Sequence, residues 1–160
     1  MNTRNIQWKK LITCIAIPLA VGSFSALLSQ NGMETFDTIH KPPLSPPGWL
    51  FPIVWTILYT LMGIASYLVL TAEQASEQSK DRALTVYGLQ LAFNFGWSLI
   101  FFNLEAYLFA FIWLVVLWLL ILKTTSLFGQ ISKTAGYLMI PYLLWVTFAG
   151  YLNLAIYFLN

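Results

Sequence analysis

Lys41–Tyr59, KPPLSPPGWLFPIVWTILY, is the stretch whose reading decides the fold. Pro42, Pro43, Pro46 and Pro47 crowd its first half. Each lacks a backbone donor and holds φ fixed, so the spacing predicts a stiff, extended loop rather than a helix. From Trp49 an uncharged run continues to Leu70, with Pro52 in its first turn, where a missing N–H costs least. On a helix, Pro52, Trp55, Tyr59, Met62 and Ser66 share one face, because steps of three and four residues return to the same side. Two readings fit this pattern. One is a rigid lid over a ligand pocket walled by the aromatic stripe; the other is a loop-to-helix junction packed with aromatics.

The composition around this stretch names the solvent. The chain of 160 residues is 59% hydrophobic and 17% aromatic, and only 9% charged, against about 25% in a soluble domain. With a mean hydropathy of +0.72 it reads as an integral membrane protein, a single domain over residues 1–160. A net charge of +2 is too small to point to nucleic acid. Cys14, the single cysteine, excludes an internal disulfide and a cysteine metal cluster, and reads as a small apolar filler. His40, the single histidine, leaves no multi-histidine metal site, so no metal is expected.

Five segments of span length follow in order, giving an all-α bundle of five transmembrane helices at about 11–29, 49–70, 83–104, 106–128 and 134–158. In hydrocarbon only helices or closed barrels satisfy the backbone, and no period-two alternation supports strands. The first segment has the look of a signal peptide, with Arg4, Lys9 and Lys10 ahead of it, but its apolar part is long for that role and it is read as a retained span. Within it, Gly22 with Ala26 and Ser25 with Ser29 offer small-residue spacing for close helix contact. The linker AEQASEQSKDR (72–82) reads as a mobile, solvated connector, and Trp113 and Trp118 as lipid-facing or interfacial to a partner subunit.

Basic residues set the expected orientation. Arg4, Lys9, Lys10, Lys80, Arg82, Lys123 and Lys133 fall on one side of this topology, and Lys41 stands alone on the other. Basic loops stay in the cytoplasm, so the amino terminus is expected inside, with the proline loop and the carboxyl terminus outside.

Polar side chains inside the spans are the candidates for chemistry. The third span places Gln90, Asn94, Trp97 and Phe101 on one face; amides at that depth are costly unless paired, so they point inward, either clasping helices or touching a ligand. The last span offers Tyr142, Trp145, Phe148, Ala149 and Asn153, with the same two readings open. No acidic or basic side chain lies deep in any span, which weakens proton-coupled transport. What remains is an aromatic, amide-lined interior suited to a flat apolar ligand.

Three runs in this chain, WLFPIVWTILYTLMGIASYLV (49–69) after KPPLSPP, QLAFNFGWSLIFF (90–102) and PYLLWVTFAGYLN (141–153), resemble the signature stretches of the TspO/MBR family of tryptophan-rich sensory and translocator proteins, in the family's order. The resemblance implies a five-helix bundle, commonly a homodimer. It implies a ligand of the porphyrin class, protoporphyrin IX or haem, with no further cofactor required. Drug-type ligands are also implied, and sterol for the mitochondrial members. The implied pocket lies under the first loop, with Pro46 and Pro47 in the lid, Trp55 on one wall, Asn94 and Trp97 on the next, and Trp145 and Ala149 closing it. Tyr59, Gln90 and Phe148, which share those helical faces, join the expected ligand-binding set. Trp55 and Trp145 match tryptophans implicated in light-dependent porphyrin breakdown, so the alternative to a receptor, sensor or transporter is a porphyrin-degrading enzyme with these two as catalytic residues. Departures from the pattern are Leu44 where the lid usually has a tryptophan, Phe36-Asp37 for an upstream Trp-Tyr pair, and Trp113 for an acidic residue. The sterol motif is absent at Tyr157–Asn160.

The orientation is checked with single cysteines at Ser45 and Ser79 in a Cys14→Ala background. An impermeant thiol reagent applied from outside is expected to label the first and not the second; labelling of both from one side would contradict the five-span reading.

Overall fold

The computed structural model describes residues 6–160, so Arg4, counted in the basic tally, lies outside them. Helix α1 (Trp8–Leu28) is followed by a short helix α2 (Gln30–Phe36), and α3 runs Leu50–Leu70. Next come α4 (Glu77–Ser98), which ends in a wide π-type turn over Leu99–Asn103, then α5 (Tyr107–Ile131) and α6 (Lys133–Leu159). Among the described residues, α1, α3, α4 with its π turn, α5 and α6 are long and apolar enough to cross a membrane. A 21-residue helix reaches about 32 Å at 1.5 Å per residue. Large apolar side chains such as Ile12, Ile57, Ile112 and Leu144 stay exposed on the outer surface, as a lipid solvent requires. The protein is an integral, multi-pass membrane protein.

The spans close into a ring in the order α1, α3, α6, α5, α4, with α3 and α4 also touching across it. Close approach depends on small residues. A side chain on Gly63 of α3 would meet the Cys14 carbonyl of α1 at 2.7 Å, and one on Gly22 would enter the Tyr59 ring. Gly129 and Gly136 let α5 and α6 turn back with only Ser132 between them. The expected pairing of small residues on α1 holds in part: Ser25 and Ser29 are buried, whereas Ala26 is exposed.

The proline segment is free of helix, as expected, and ahead of it Gln30–Phe36 adds a short helix that packs Phe36 on Phe101 and Phe102 at 5.9 and 5.6 Å. Three expectations are corrected. The linker 72–82 is not all mobile connector. Ser76 caps α4 by accepting the Ser79 N–H, Glu77 sits in the first turn, and Lys80 is buried and paired with Glu77 at 2.9 Å, so the helix starts six residues before Ala83. Trp113 is not simply lipid-facing, since its ring stacks on Phe93 at 4.4 Å over Gly96 and its N–H donates to the Phe93 carbonyl. Helix α5 also outlasts the expected end at 128 by three residues, reaching Ile131.

Gly63→Val puts a branched side chain against α1 backbone, which cannot yield as a flexible side chain can. The expected loss is about 1–3 kcal/mol, read as a lower melting temperature in detergent; an unchanged melt would show that α1 is free to move off α3.

Candidate functional site

A buried polar ladder crosses the middle of the bundle. Tyr59 on α3 donates its hydroxyl to Asn94 Oδ1 on α4 at 2.7 Å, and Asn94 Nδ2 donates to the Tyr142 hydroxyl on α6 at 3.0 Å. Tyr142 in turn donates to Gln90 Oε1 at 2.8 Å, and Gln90 Nε2 points at Met62 Sδ at 3.6 Å. All five side chains are buried. Each amide thus has both ends engaged, and three helices are joined by groups that have no water to turn to. Gln90 and Asn94 act here as helix clasps. Tyr142 is the centre of the ladder, and the sequence reading noted it without a role. The signal for it is a mid-span tyrosine hydroxyl facing mid-span amides, each in need of a partner.

Toward the lid end an aromatic shell surrounds this ladder. Trp55 stacks on Tyr59 at 5.3 Å and meets Tyr142 edge-on at 6.1 Å. Trp145 meets Phe51 at 6.0 Å and Phe148 at 5.7 Å, and Phe148 stacks on Tyr151 at 6.2 Å. Thus α3 and α6 bring Trp55 and Trp145 to one wall, with Ala149 half-buried beside them. Trp97 belongs to a different group, stacked on Phe101 at 5.1 Å.

The indole N–H groups separate the tryptophans by role. Trp97 donates to Asn153 Oδ1 at 3.1 Å, and Asn153 in turn donates to the Tyr107 carbonyl. Trp113 donates to the Phe93 carbonyl and Trp118 to Thr147 Oγ1, each at 2.8 Å. Trp55 and Trp145 are equally half-buried, yet their N–H groups have no partner among the described residues.

The proline segment is held at its amino-terminal end by two straps from α6 and the carboxyl terminus. Tyr151 Oη donates to the Pro43 carbonyl at 3.0 Å, and the Asn160 amide pairs with the His40 backbone, accepting its N–H and donating to its carbonyl, both at 3.0 Å. Lys41 pairs with Asp37 at 3.2 Å and lies over the Phe36 ring. Pro46 is half-buried and Pro47 exposed. On α1, the hydroxyls of Ser25 and Ser29 are buried without a partner among the described residues.

Two cavities lie away from this shell. One of about 700 Å³ sits at the opposite end of the bundle, between the α3–α4 linker and the α5–α6 turn. The other, of about 330 Å³, is an apolar groove between α5 and α6 lined by Trp118 and Gly150. With the lid strapped down, the tryptophan wall is packed by its own aromatic neighbours.

The pattern of the TspO/MBR family matches residues 14–159. The tryptophan-rich protein TspO of Chlorobaculum tepidum is 40% identical over 158 residues, covering 98% of this chain and 99% of that protein. The tryptophan-rich sensory protein of Cereibacter sphaeroides is 37% identical, covering 93% and 90%. The translocator protein of Bos taurus is 29% identical, covering 91% and 87%.

Asn94→Leu removes the rung between Tyr59 and Tyr142 and strands the Tyr59 hydroxyl, while Tyr142 keeps its bond to Gln90. Stability is expected to fall by roughly 0.6–2 kcal/mol, measured by thermal melting in detergent. An unchanged melting temperature would mean that the ladder does not hold the helices together.

Proposed function

The chain belongs to the TspO/MBR family, and from that premise we propose a membrane receptor or sensor that binds a porphyrin-class molecule, protoporphyrin IX or haem, against the Trp55–Trp145 wall under the proline lid. The observation that carries this reading is the pair of half-buried indoles with unpartnered N–H groups, beside three other half-buried tryptophans that are all engaged. A packing tryptophan in a membrane interior finds a protein acceptor; one that faces a guest keeps its donor for the guest.

In this reading a flat macrocycle stacks on Trp55 and Trp145, each contact contributing on the order of 1 kcal/mol beyond burial. Phe148 and Ala149 border it, and Pro46 and Pro47 cover it. Tyr59, Gln90 and Asn94 form the polar floor through their ladder, and Trp97, its N–H already held by Asn153, offers only its ring. Entry requires release of the Tyr151–Pro43 and Asn160–His40 straps and repacking of Phe51. The amino terminus lies in the cytoplasm and the lid faces out, as the basic residues require. Two copies pair in the membrane as a homodimer.

The test uses purified protein titrated with protoporphyrin IX, binding read by tryptophan quenching and absorbance compared in the dark and under illumination. Saturable quenching with a stable band supports a receptor; no saturable binding overturns the reading, and light-dependent loss of the band at full occupancy moves it to porphyrin degradation. Trp55→Phe and Trp145→Phe are each expected to weaken binding by about tenfold or less, equivalent to roughly 1.4 kcal/mol. Trp113→Phe, which removes an N–H donated to backbone, is expected to lower the melting temperature and leave affinity unchanged.

A further inference from the structure

The cavity of about 700 Å³ at the end opposite the lid has a divided lining. Its floor is apolar and comes from the spans themselves, Leu68 of α3 with Leu127 and Ile131 of α5. Its rim is polar and carries one charge of each sign, Glu73 in the α3–α4 linker and Arg82 on the second turn of α4. Both are exposed, and among the described residues neither forms an ion pair, although Lys80 and Glu77 a few residues away are paired with each other. The cap hydroxyls in the lining are already engaged, Ser76 with the Ser79 N–H and Ser132 with the Ala135 N–H. Gln74 and Gln130 add neutral amides to the rim, and its two charges are those of Arg82 and Glu73.

We propose that this cavity is a lipid site for a zwitterionic phosphoethanolamine headgroup, with the phosphate on Arg82 and the ammonium on Glu73. Opposite charges that line one space without closing on each other match a guest carrying both signs. A guanidinium binds phosphate with paired N–H donors, and a primary ammonium gives Glu73 three donors that a choline headgroup lacks. The apolar floor of Leu68, Leu127 and Ile131 gives the first carbons of acyl chains a surface to lie on, which favours a lipid over a soluble phosphoethanolamine. The site stands apart from the tryptophan wall, and its test does not depend on porphyrin.

The delipidated full chain is titrated in detergent with dioleoyl phosphatidylethanolamine, phosphatidylglycerol or phosphatidylcholine, and bound lipid is counted by native mass spectrometry. Phosphatidylethanolamine is expected to be retained about fivefold better than either competitor, on the scale of one partly exposed charge pair. Glu73→Gln is expected to erase its advantage over phosphatidylglycerol, and Arg82→Gln to weaken its binding, with melting temperatures unchanged in both. Equal retention of the three lipids, or variants that retain phosphatidylethanolamine as the native chain does, overturns the site. Displacement of the lipid by an equal concentration of O-phosphoethanolamine overturns the assignment to lipid.

Discussion

Nothing inside a bilayer can replace a hydrogen bond that the protein fails to make, and that constraint organises this molecule. The run Tyr59–Asn94–Tyr142–Gln90 answers it by joining α3, α4 and α6 with groups that satisfy one another. Around it the ring of helices can be apolar and loosely specified, because dispersion contacts with lipid and with protein differ little. The ladder sets which faces look inward, and the glycines at 22, 63 and 136 decide how near they come. Breaking a rung therefore disturbs orientation as well as stability.

The same accounting sorts the tryptophans. In water a free indole N–H is unremarked; in hydrocarbon it is a deficit, and Trp97, Trp113 and Trp118 each settle it on a different helix or turn. Trp55 and Trp145 do not, and they stand on the two helices that meet beside the ladder. The satisfied ladder and the two free indoles thus lie side by side on the same pair of helices.

The fold was legible because hydrophobic runs of span length have few alternatives in lipid. The ends of the helices were less legible. Ser76 with Glu77 is a usable capping signal, but the polar, mixed-charge run around it reads equally as linker. Gln30–Phe36 was hidden for the opposite reason: it has little helix propensity of its own and is held by Phe36 against Phe101 and Phe102, far along the chain, a contact that local sequence cannot announce. Gln90 and Asn94 were legible as inward-facing amides, and their partners were not, since three helices must be placed before Tyr142 can be seen between them. Which acceptor each indole N–H reaches likewise depends on how the helices are placed, which no local run of residues states.

The departures in the lid acquire a physical meaning from this geometry. Leu44 adopts φ 69° and is 81% exposed, so the side chain at this position points away from the bundle. A left-handed leucine costs roughly 1–2 kcal/mol, and the straps at Pro43 and His40 on the preceding residues are what hold the backbone there. Phe36, by contrast, is tucked under Lys41 and onto Phe101, where it closes the end of the bundle beside Trp97. Aromatic cover at this end therefore comes from α2 rather than from the proline segment itself. A lid held by backbone acceptors and a few terminal side chains, over a floor locked by buried hydroxyls and amides, places the freedom to move at the rim and the rigidity at the centre.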